Sequence, residues 1–365
     1  MSDLLQPDPD LIEPILRLTR DLRAAAGLLD RNQARYLVDS YYQIQTFRLQ
    51  TESQIRETKK TREPSALLLW IHKSMQTLEN GIQNSLGRFA KTYRVGAWLQ
   101  SICGVGPVIS AGLLAHLDIR VARYAGNFWN FAGLNPSVKW EKGQKRPWCE
   151  GLKTLAVFKA GECFVKVQAN EKDVYGKLYA QRKAIETVAN EDGKFSSEAA
   201  AKLERFKIGK TTDAFKWYSG CYAAADVKRC RVEKQRALAA IAGELLTLDS
   251  AEERAALKAK AVDAVKKPKL LKPGEGLPML PPAHIHARAR RYAVKMFLSH
   301  VHHVMYEDYH GVTPPVPYGL GIEGHGEREV SYVPPPDWPG EHKGKSLHEM
   351  FAEEPSVAKG NKEER

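Results

Sequence analysis

The chain has 365 residues, and its 55 Lys and Arg outnumber 43 Asp and Glu, which gives a formal net charge of +12. This excess favours a polyanionic partner, and nucleic acid fits better than a membrane because no long apolar or amphipathic anchor accompanies the charge. The length is sufficient for a sizeable core and for two or three ordinary domains.

The cysteines and the first residues of the chain predict a cytoplasmic protein. Its five cysteines form no Cys-x-x-Cys pair and no metal-ligand spacing, so we expect reduced thiols. The first residues, MSDLLQPDPDLIEP, are acidic and lack a basic segment followed by a hydrophobic run, which argues against a signal peptide. Since no stretch approaches the roughly 18 apolar residues of a membrane span, we expect a soluble protein with no membrane partner.

Residues 1–98 are predicted to form an N-terminal helical region. Apolar residues recur every three or four positions between Asp10 and Lys60, and a second stripe follows Pro64. This second stripe consists of Leu68, Ile71, Met75, Leu78, Ile82, Leu86 and Phe89. Such a stripe is typical of a core-facing helix rather than of a cofactor site.

The segment LQSICGVGPVISAGLL, residues 99–114, interrupts a helical pattern with two glycines and a proline. Glycine breaks a helix and permits positive φ angles, whereas Pro107 suits the first turn of a new helix. The pattern therefore predicts a helix-hairpin-helix: a helix, a tight turn and a second helix rich in small residues. Amides at the start of the second helix lack internal partners and, aided by the helix dipole, can bind a phosphate.

We expect this turn to bind the DNA backbone without reading base sequence. The residues expected to make the contact are Gly104, Val105, Gly106, Pro107 and Val108. Val105 is expected to anchor the turn in the core. The alternative is a hairpin that serves only packing, in which case the chain would be a structural or interaction protein.

A second motif, RYAGNFWNFAGLNPS, follows the turn after a few residues. As an ordered pair, the two motifs resemble the C-terminal domain of insertion-sequence 110/116/902-type transposases over residues 99–167. The matching positions of the second motif are Tyr124, Phe131, Ala132, Gly133, Leu134 and Pro136. The resemblance implies a transposase-like protein of a mobile element or phage, acting in DNA transposition and recombination on duplex or branched DNA, with RNA as a further candidate partner.

The chain departs from that family where the family's catalysis lies. The family has an N-terminal RuvC-like nuclease domain with a metal-binding Asp/Glu tetrad on a mixed sheet, whereas the residues before the turn here are helical in pattern. The family's nucleophilic serine is replaced by Lys142-Gly143, and the nearest hydroxyl is Ser137. We therefore expect a DNA-binding protein without nuclease activity or cofactor. The alternative is an active transposase that uses Ser137, or unrecognised carboxylates, with Mg²⁺.

Two groups of basic residues are expected to assist the turn. The first group is interleaved with two tryptophans and consists of Lys139, Lys142, Lys145 and Arg146. The second group, Arg288, Arg291 and Lys295, follows helical steps and forms one cationic face. A face that is merely solvated is the alternative for this second group.

His300 and His303 lie one helical turn apart and are candidate metal ligands. Glu307 and Asp308 are the carboxylates at a matching offset. Because this set is sparse, we expect no metal site.

The helical periodicity, the glycine turn and the lack of successive strand patterns predict an all-α fold with a helix-hairpin-helix core between long N- and C-terminal helices. The expected parts are an N-terminal helical region (1–98), the transposase-like domain (99–168), a helical pair (169–250), a basic Pro- and Lys-rich linker (251–283), a basic helix packing back on the core (284–311) and an extended or disordered tail (312–365). An oligomer is compatible with these features.

Overall fold

The computed structural model describes residues 26–315 and 333–352. Within these residues every regular element is helical, and β pairing is confined to the isolated bridges Tyr93–Lys345 and Tyr222–Leu270. The predicted all-α class is therefore confirmed. None of the described helices combines the length and the apolar character that crossing a lipid bilayer requires.

The helices before residue 170 are α1 (Arg31–Thr58), α2 (Ala66–Lys91), α3 (Arg94–Ser101), α4 (Pro107–His116), α5 (Ala125–Phe131), α6 (Glu150–Lys153) and α7 (Gly161–Val167). A π-helical segment, Thr154–Ala160, joins α6 to α7, and short 3₁₀ turns span Ala26–Leu28 and Ile119–Val121. The later helices are α8 (Tyr175–Glu191), α9 (Ser196–Arg205), α10 (Asp213–Tyr218), α11 (Ala224–Ala240), α12 (Ala242–Thr247), α13 (Ala251–Asp263), α14 (Pro282–His310) and α15 (Leu347–Ala352).

The long helices α1 and α2 begin where the sequence supplies side-chain caps. Asp30 accepts hydrogen bonds from the amides of Asn32 and Gln33, and the Gln33 side chain accepts one from the Asp30 amide, which completes a capping box. Ser65, directly after Pro64, caps α2 by accepting one hydrogen bond from the Leu68 amide at 3.3 Å. The helices predicted before and after Pro64 are thus present within the described residues.

Helix α4 is the central element of its region, because its residues from Val108 to Ala115 are all buried. It packs on α1, α2, α3 and the π-helical segment. Gly112 permits this close approach, since a Cβ there would lie 2.5 Å from Leu155 Cδ2. Arg31 of α1 donates to the Leu114 carbonyl at 3.2 Å and so satisfies a buried acceptor in the last turn of α4, where carbonyls lack partners in their own helix.

The chain divides into two compact units, one formed by residues 1–177 and 293–365 and the other by residues 178–292. The boundary expected at residue 98 does not coincide with this division. The physical reason is that α1 and α2 supply the surfaces on which α4 is buried, so the N-terminal helices and the glycine turn share one core.

Within the segment expected to be a basic Pro- and Lys-rich linker, 251–283, residues 264–278 are exposed or half-buried and residues 279–281 are buried. After α13, the amides of Leu271 and Gly276 donate to the carbonyls of Cys221 and Gly220 at 2.9 and 2.8 Å. Leu280 is fully buried. Proline and lysine dominate the composition there, but a few apolar side chains and backbone hydrogen bonds suffice to hold the segment.

The expectation of an extended or disordered tail at residues 312–365 is wrong for residues 333–352. The Trp98 indole donates to the Pro336 carbonyl at 2.8 Å, and α15 buries Leu347 and Phe351. The Arg120 guanidinium lies 4.1 Å from the centre of the Phe351 ring. The rest of that prediction, for residues 316–332 and 353–365, lies outside the described residues, as does the first helical pattern before residue 26.

Candidate functional site

The glycine turn between α3 and α4 is fixed by its backbone and by buried side chains. The Val105 amide donates to the Ile102 carbonyl at 3.0 Å, and the Val105 side chain is buried, as predicted. Gly104 has a φ of +89°, which an L side chain rarely adopts. A Cβ on Gly104 would also lie 3.2 Å from Val167 Cγ2, so the turn packs closely on α7.

The first turn of α4 presents amides that its own helix does not satisfy. Gly106 is the N-cap without a side-chain hydrogen bond, and Pro107 occupies the first helical position, as predicted. The Ser110 amide donates to the Gly106 carbonyl at 3.0 Å. In the part of the chain that the structure describes, the amides of Val108 and Ile109 have no hydrogen-bond partner. These donors lie at the positive end of the α4 dipole.

Open space adjoins these amides. Gly106 is half-buried, and a Cβ at this position would meet no atom within 4 Å. A cleft of about 500 Å³ is lined on one side by residues 106–109 and on the other by Phe158, Lys159 and Lys166. Among the described residues, the Gly106 side of the turn therefore adjoins a cleft rather than another helix, and no side chain caps the first turn of α4.

A second groove, of about 320 Å³, also reaches the first turn of α4 at Pro107. Its cations are Arg88 and Lys91, from the last turn of α2. Gly87 allows the contact, because a Cβ there would lie 3.2 Å from Pro107 Cβ. In the described linings of the two grooves, Glu162 is the single carboxylate, so positive charge predominates around the turn.

Sequence inspection did not identify the cations beside the turn. Arg88, Lys91, Lys159 and Lys166 come from α2, the π-helical segment and α7. Arg88 and Lys91 share the last turn of α2, whereas Lys159 and Lys166 come from later segments, and only the packing of these segments on α4 brings the four residues together. The last-turn position of Arg88 and Lys91, directly before the glycine turn, is the one sequence signal that could have indicated them.

The basic residues predicted after the second motif lie on an exposed loop, residues 137–147. These are Lys139, Lys142, Lys145 and Arg146. Arg146 forms an ion pair with Glu150, and its guanidinium lies 5.1 Å from the centre of the Trp140 ring. Trp140 in turn packs edge to face on Trp148, with ring centres 6.4 Å apart. The charge of Arg146 is thus partly neutralised by a neighbouring residue in the sequence.

The base of this loop adjoins the C-terminal end of α4. Cys149 Sγ lies 3.7 Å from Nδ1 of His116, the last residue of α4. Burial, followed by the charges of Arg35 and Arg31, lowers the pKa of His116 to about 4. The glycine turn adjoins the opposite end of the helix, and ten helical residues span about 15 Å. The structure therefore anchors the loop and the turn at different ends of α4.

The predicted cationic face on α14 is partly neutralised. Arg288 donates to Glu186 of α8 at 2.6 Å and to Glu198 of α9 at 2.9 Å. Arg291 is exposed. Lys295 Nζ lies 5.4 Å from the centre of the Trp129 ring. Arg288 is thus used to hold α8 and α9.

The two candidate metal ligands take part in hydrogen bonds. His300 is fully buried, with Nδ1 2.8 Å from the Tyr175 hydroxyl and Nε2 2.9 Å from the Val333 carbonyl. Burial lowers the pKa of His300 to about 4. His303 Nε2 lies 3.0 Å from Glu307. Among residues 26–315 and 333–352, no three His, Cys, Asp or Glu side chains gather as a metal site.

Ser137, the candidate nucleophile, lies on the exposed loop. Its amide donates to the Asn135 side chain at 2.9 Å, which forms a local turn. No sheet carrying acidic residues occurs among the described residues.

The chemistry gathered at the first turn of α4 is that of an anion-binding surface: amide donors, nearby ammonium and guanidinium groups, and open grooves on the same turn. Comparison with protein-family models, with curated proteins and with solved structures gives no match for this chain.

Proposed function

We propose that the chain is a DNA-binding, transposase-like protein of a mobile element or phage. In this proposal α3, the glycine turn and α4 form a helix-hairpin-helix that holds the phosphate backbone. The observation that carries the proposal is the pair of unsatisfied amides at Val108 and Ile109, which line a groove containing Lys159 and Lys166, while a second basic groove reaches the same turn at Pro107. A phosphate oxygen accepts such amide hydrogens, and the helix dipole favours its negative charge.

The cations in the two grooves extend this contact along a strand. Arg88 and Lys91 line one groove, and Lys159 and Lys166 line the other. With one phosphate at the amides, these side chains can meet neighbouring phosphates. Contacts of this kind position DNA without reading its sequence, so we propose sequence-tolerant binding of duplex or branched DNA.

The resemblance of residues 99–167 to insertion-sequence 110/116/902-type transposases supports the mobile-element setting. Because the family's serine and acidic tetrad have no counterpart that we recognise in this chain, we propose binding without strand cleavage. The five cysteines are all unpaired thiols, which supports action in a reducing compartment such as the cytoplasm.

The decisive experiment is a fluorescence anisotropy titration of labelled duplex, branched and single-stranded DNA over a range of salt concentrations. Phosphate binding predicts a steep loss of affinity between about 50 and 200 mM salt. Gly106→Glu places a carboxylate in the open space beside the amides, where no atom lies within 4 Å of a Cβ. We expect at least about tenfold weaker binding from this variant, with the helical circular dichroism signal unchanged.

Gly243→Glu is the matched control, because it makes the same charge change at another position where a Cβ meets no atom within 4 Å. Gly243 belongs to the other compact unit. We expect this variant to bind DNA with an affinity close to that of the native chain. Equal affinities of the Gly106 and Gly243 variants would overturn the role of the turn.

A further inference from the structure

The cleft of about 500 Å³ beside α4 contains more than phosphate-binding groups. Its volume lies within the range of small-molecule pockets, which is about 300–1,000 Å³. Besides Lys159 and Lys166, its lining includes the aromatic side chain of Phe158 and the amide side chain of Gln45. An aromatic ring and an oriented amide are groups that bind a nucleobase, and neither is needed for a phosphate.

Phe158 offers an apolar surface at this cleft. It lies in the π-helical segment Thr154–Ala160, which buries Leu155, Val157 and Ala160 but leaves Phe158 47% exposed. Single π-helical turns inside α-helices are frequent at functional sites. A base that entered the cleft beside the α4 amides could therefore stack on this ring.

Gln45 is oriented by a partly buried ion pair. Its Nε2 donates to the Tyr41 hydroxyl at 3.1 Å and to Glu79 Oε1 at 3.0 Å, and Glu79 also pairs with Arg48. Burial alone would raise the pKa of Glu79, but the hydrogen bonds from Arg48 and Gln45 lower it, so the carboxylate stays ionised. With both amide hydrogens used, Gln45 presents its carbonyl oxygen as an acceptor for an N–H group.

We propose that this cleft takes the base of an unpaired DNA nucleotide whose phosphate is held at the first turn of α4. This inference rests on the proposed function. A base that is paired and stacked in a duplex presents neither its faces nor its Watson–Crick edge, so entry requires an unpaired or extruded nucleotide. The ligand class is therefore DNA with a bulge, a gap or a branch, bound in preference to a continuous duplex.

The experiment compares labelled duplexes that are identical except for one internal nucleotide. The first duplex is fully paired, the second has a single unpaired 2-aminopurine, and the third has an unpaired abasic residue at the same place. We expect the 2-aminopurine duplex to bind about tenfold more tightly than the paired one, with quenching of the 2-aminopurine fluorescence as the base stacks. The abasic duplex should lose this advantage, because it keeps the extra phosphate but has no base.

Phe158→Ala should reduce the ratio of bulged to paired affinity to near one. Phe47→Ala is the matched control, since Phe47 of α1 has nearly the same exposure, 48%, and does not line the cleft. It should leave the ratio unchanged. Both residues are half exposed, so neither substitution removes a buried core side chain.

The outcomes separate this inference from the proposed function. Salt-dependent duplex binding that Gly106→Glu weakens, together with equal affinities for bulged and paired DNA, would overturn the nucleotide cleft and leave the proposed function standing. Absence of binding to any of the DNAs would overturn both. Tighter binding of an RNA duplex with the same bulge would overturn the assignment to DNA.

Discussion

Two regions that border α4 contrast in how they use basic residues. At the N-terminal end, the glycine turn is packed on α7, and cations from separate helices surround amides that lack partners. The exposed loop at residues 137–147 has the same number of basic residues, four, within eleven positions, but Arg146 is paired with Glu150 and stacked on Trp140.

The contrast shows that a high density of basic residues in a sequence does not mean that their charges are available to bind an anion. Neighbouring residues in a flexible loop can pair with one another, and exposed charges of this kind are largely screened. The cations around the turn come instead from helices whose positions the core fixes, and Lys159 Nζ lies 4.1 Å from the centre of the Tyr42 ring. These cations adjoin uncapped amides, and in the proposed function the amides hold one phosphate while the cations meet its neighbours.

The largest effect should come from removing the cations beside the turn. In Lys159→Ala/Lys166→Ala, we expect roughly tenfold to hundredfold weaker DNA binding, and the slope of log affinity against log salt should fall by about two. Lys142→Ala/Lys145→Ala removes the same charge from the loop. Salt-titrated anisotropy should show a clearly smaller change, and a larger one would reverse the ranking of the two regions.

The loop end of α4 should be the acid-sensitive end. The folded-state pKa of His116, about 4, lies below the ordinary histidine value of 6.5, so the unfolded chain takes up the proton first as the pH falls. The contribution of neutral His116 to the free energy of unfolding is therefore complete above pH 6.5 and is lost as the pH falls towards 4. Urea unfolding at pH 7 and at about pH 4.5 should show that His116→Leu loses about 2 kcal/mol less stability than the native chain over this interval. An equal loss of stability in both proteins would contradict the assignment of this acid sensitivity to His116.

The two regions can also be compared through their glycines. Gly104 and Gly143 both have positive φ, +89° and +98°, but a Cβ on Gly104 meets Val167 and Phe164 whereas one on Gly143 meets no atom within 4 Å. Chemical denaturation should show a cost of about 2 kcal/mol for Gly104→Ala and about 1 kcal/mol or less for Gly143→Ala. Equal costs would show that the turn is no more constrained than the loop.

The smallest effect on DNA binding should come from Arg288, which was predicted as a phosphate contact. Because its guanidinium holds Glu186 and Glu198, Arg288→Ala should change DNA affinity by less than about twofold while lowering the free energy of unfolding by about 2 kcal/mol. Anisotropy and urea unfolding of the same sample would separate these effects. A large loss of DNA affinity in the folded variant would show that α14 does contact DNA.

Much of the fold follows from local patterns in the sequence. The spacing of apolar residues predicted α1 and α2, and Pro107 after the two glycines predicted the start of α4. Gly311 follows the last residue of α14, as predicted, with a φ of +71°. These are local signals, because caps, glycine conformations and helical periodicity depend on residues within one or two turns.

The segments predicted as linker and tail show which contacts local sequence patterns do not predict. Residues 333–352 and the stretch that ends at Leu280 are poor in periodic apolar residues, yet Phe351 and Leu280 are buried against distant parts of the chain. A proline-rich segment without a helical period can still be held by backbone hydrogen bonds and a few side chains. The partners that supply those contacts are not adjacent in sequence.

By itself the sequence determined that the chain is helical, that it is basic and that a glycine turn precedes a helix with uncapped amides. Tertiary structure alone decided which cations adjoin that turn, which of the predicted ones are paired elsewhere, and where a cleft opens. The reason is physical: helix formation and capping are short-range, whereas the pairing and burial of a charge depend on which helices the core brings together.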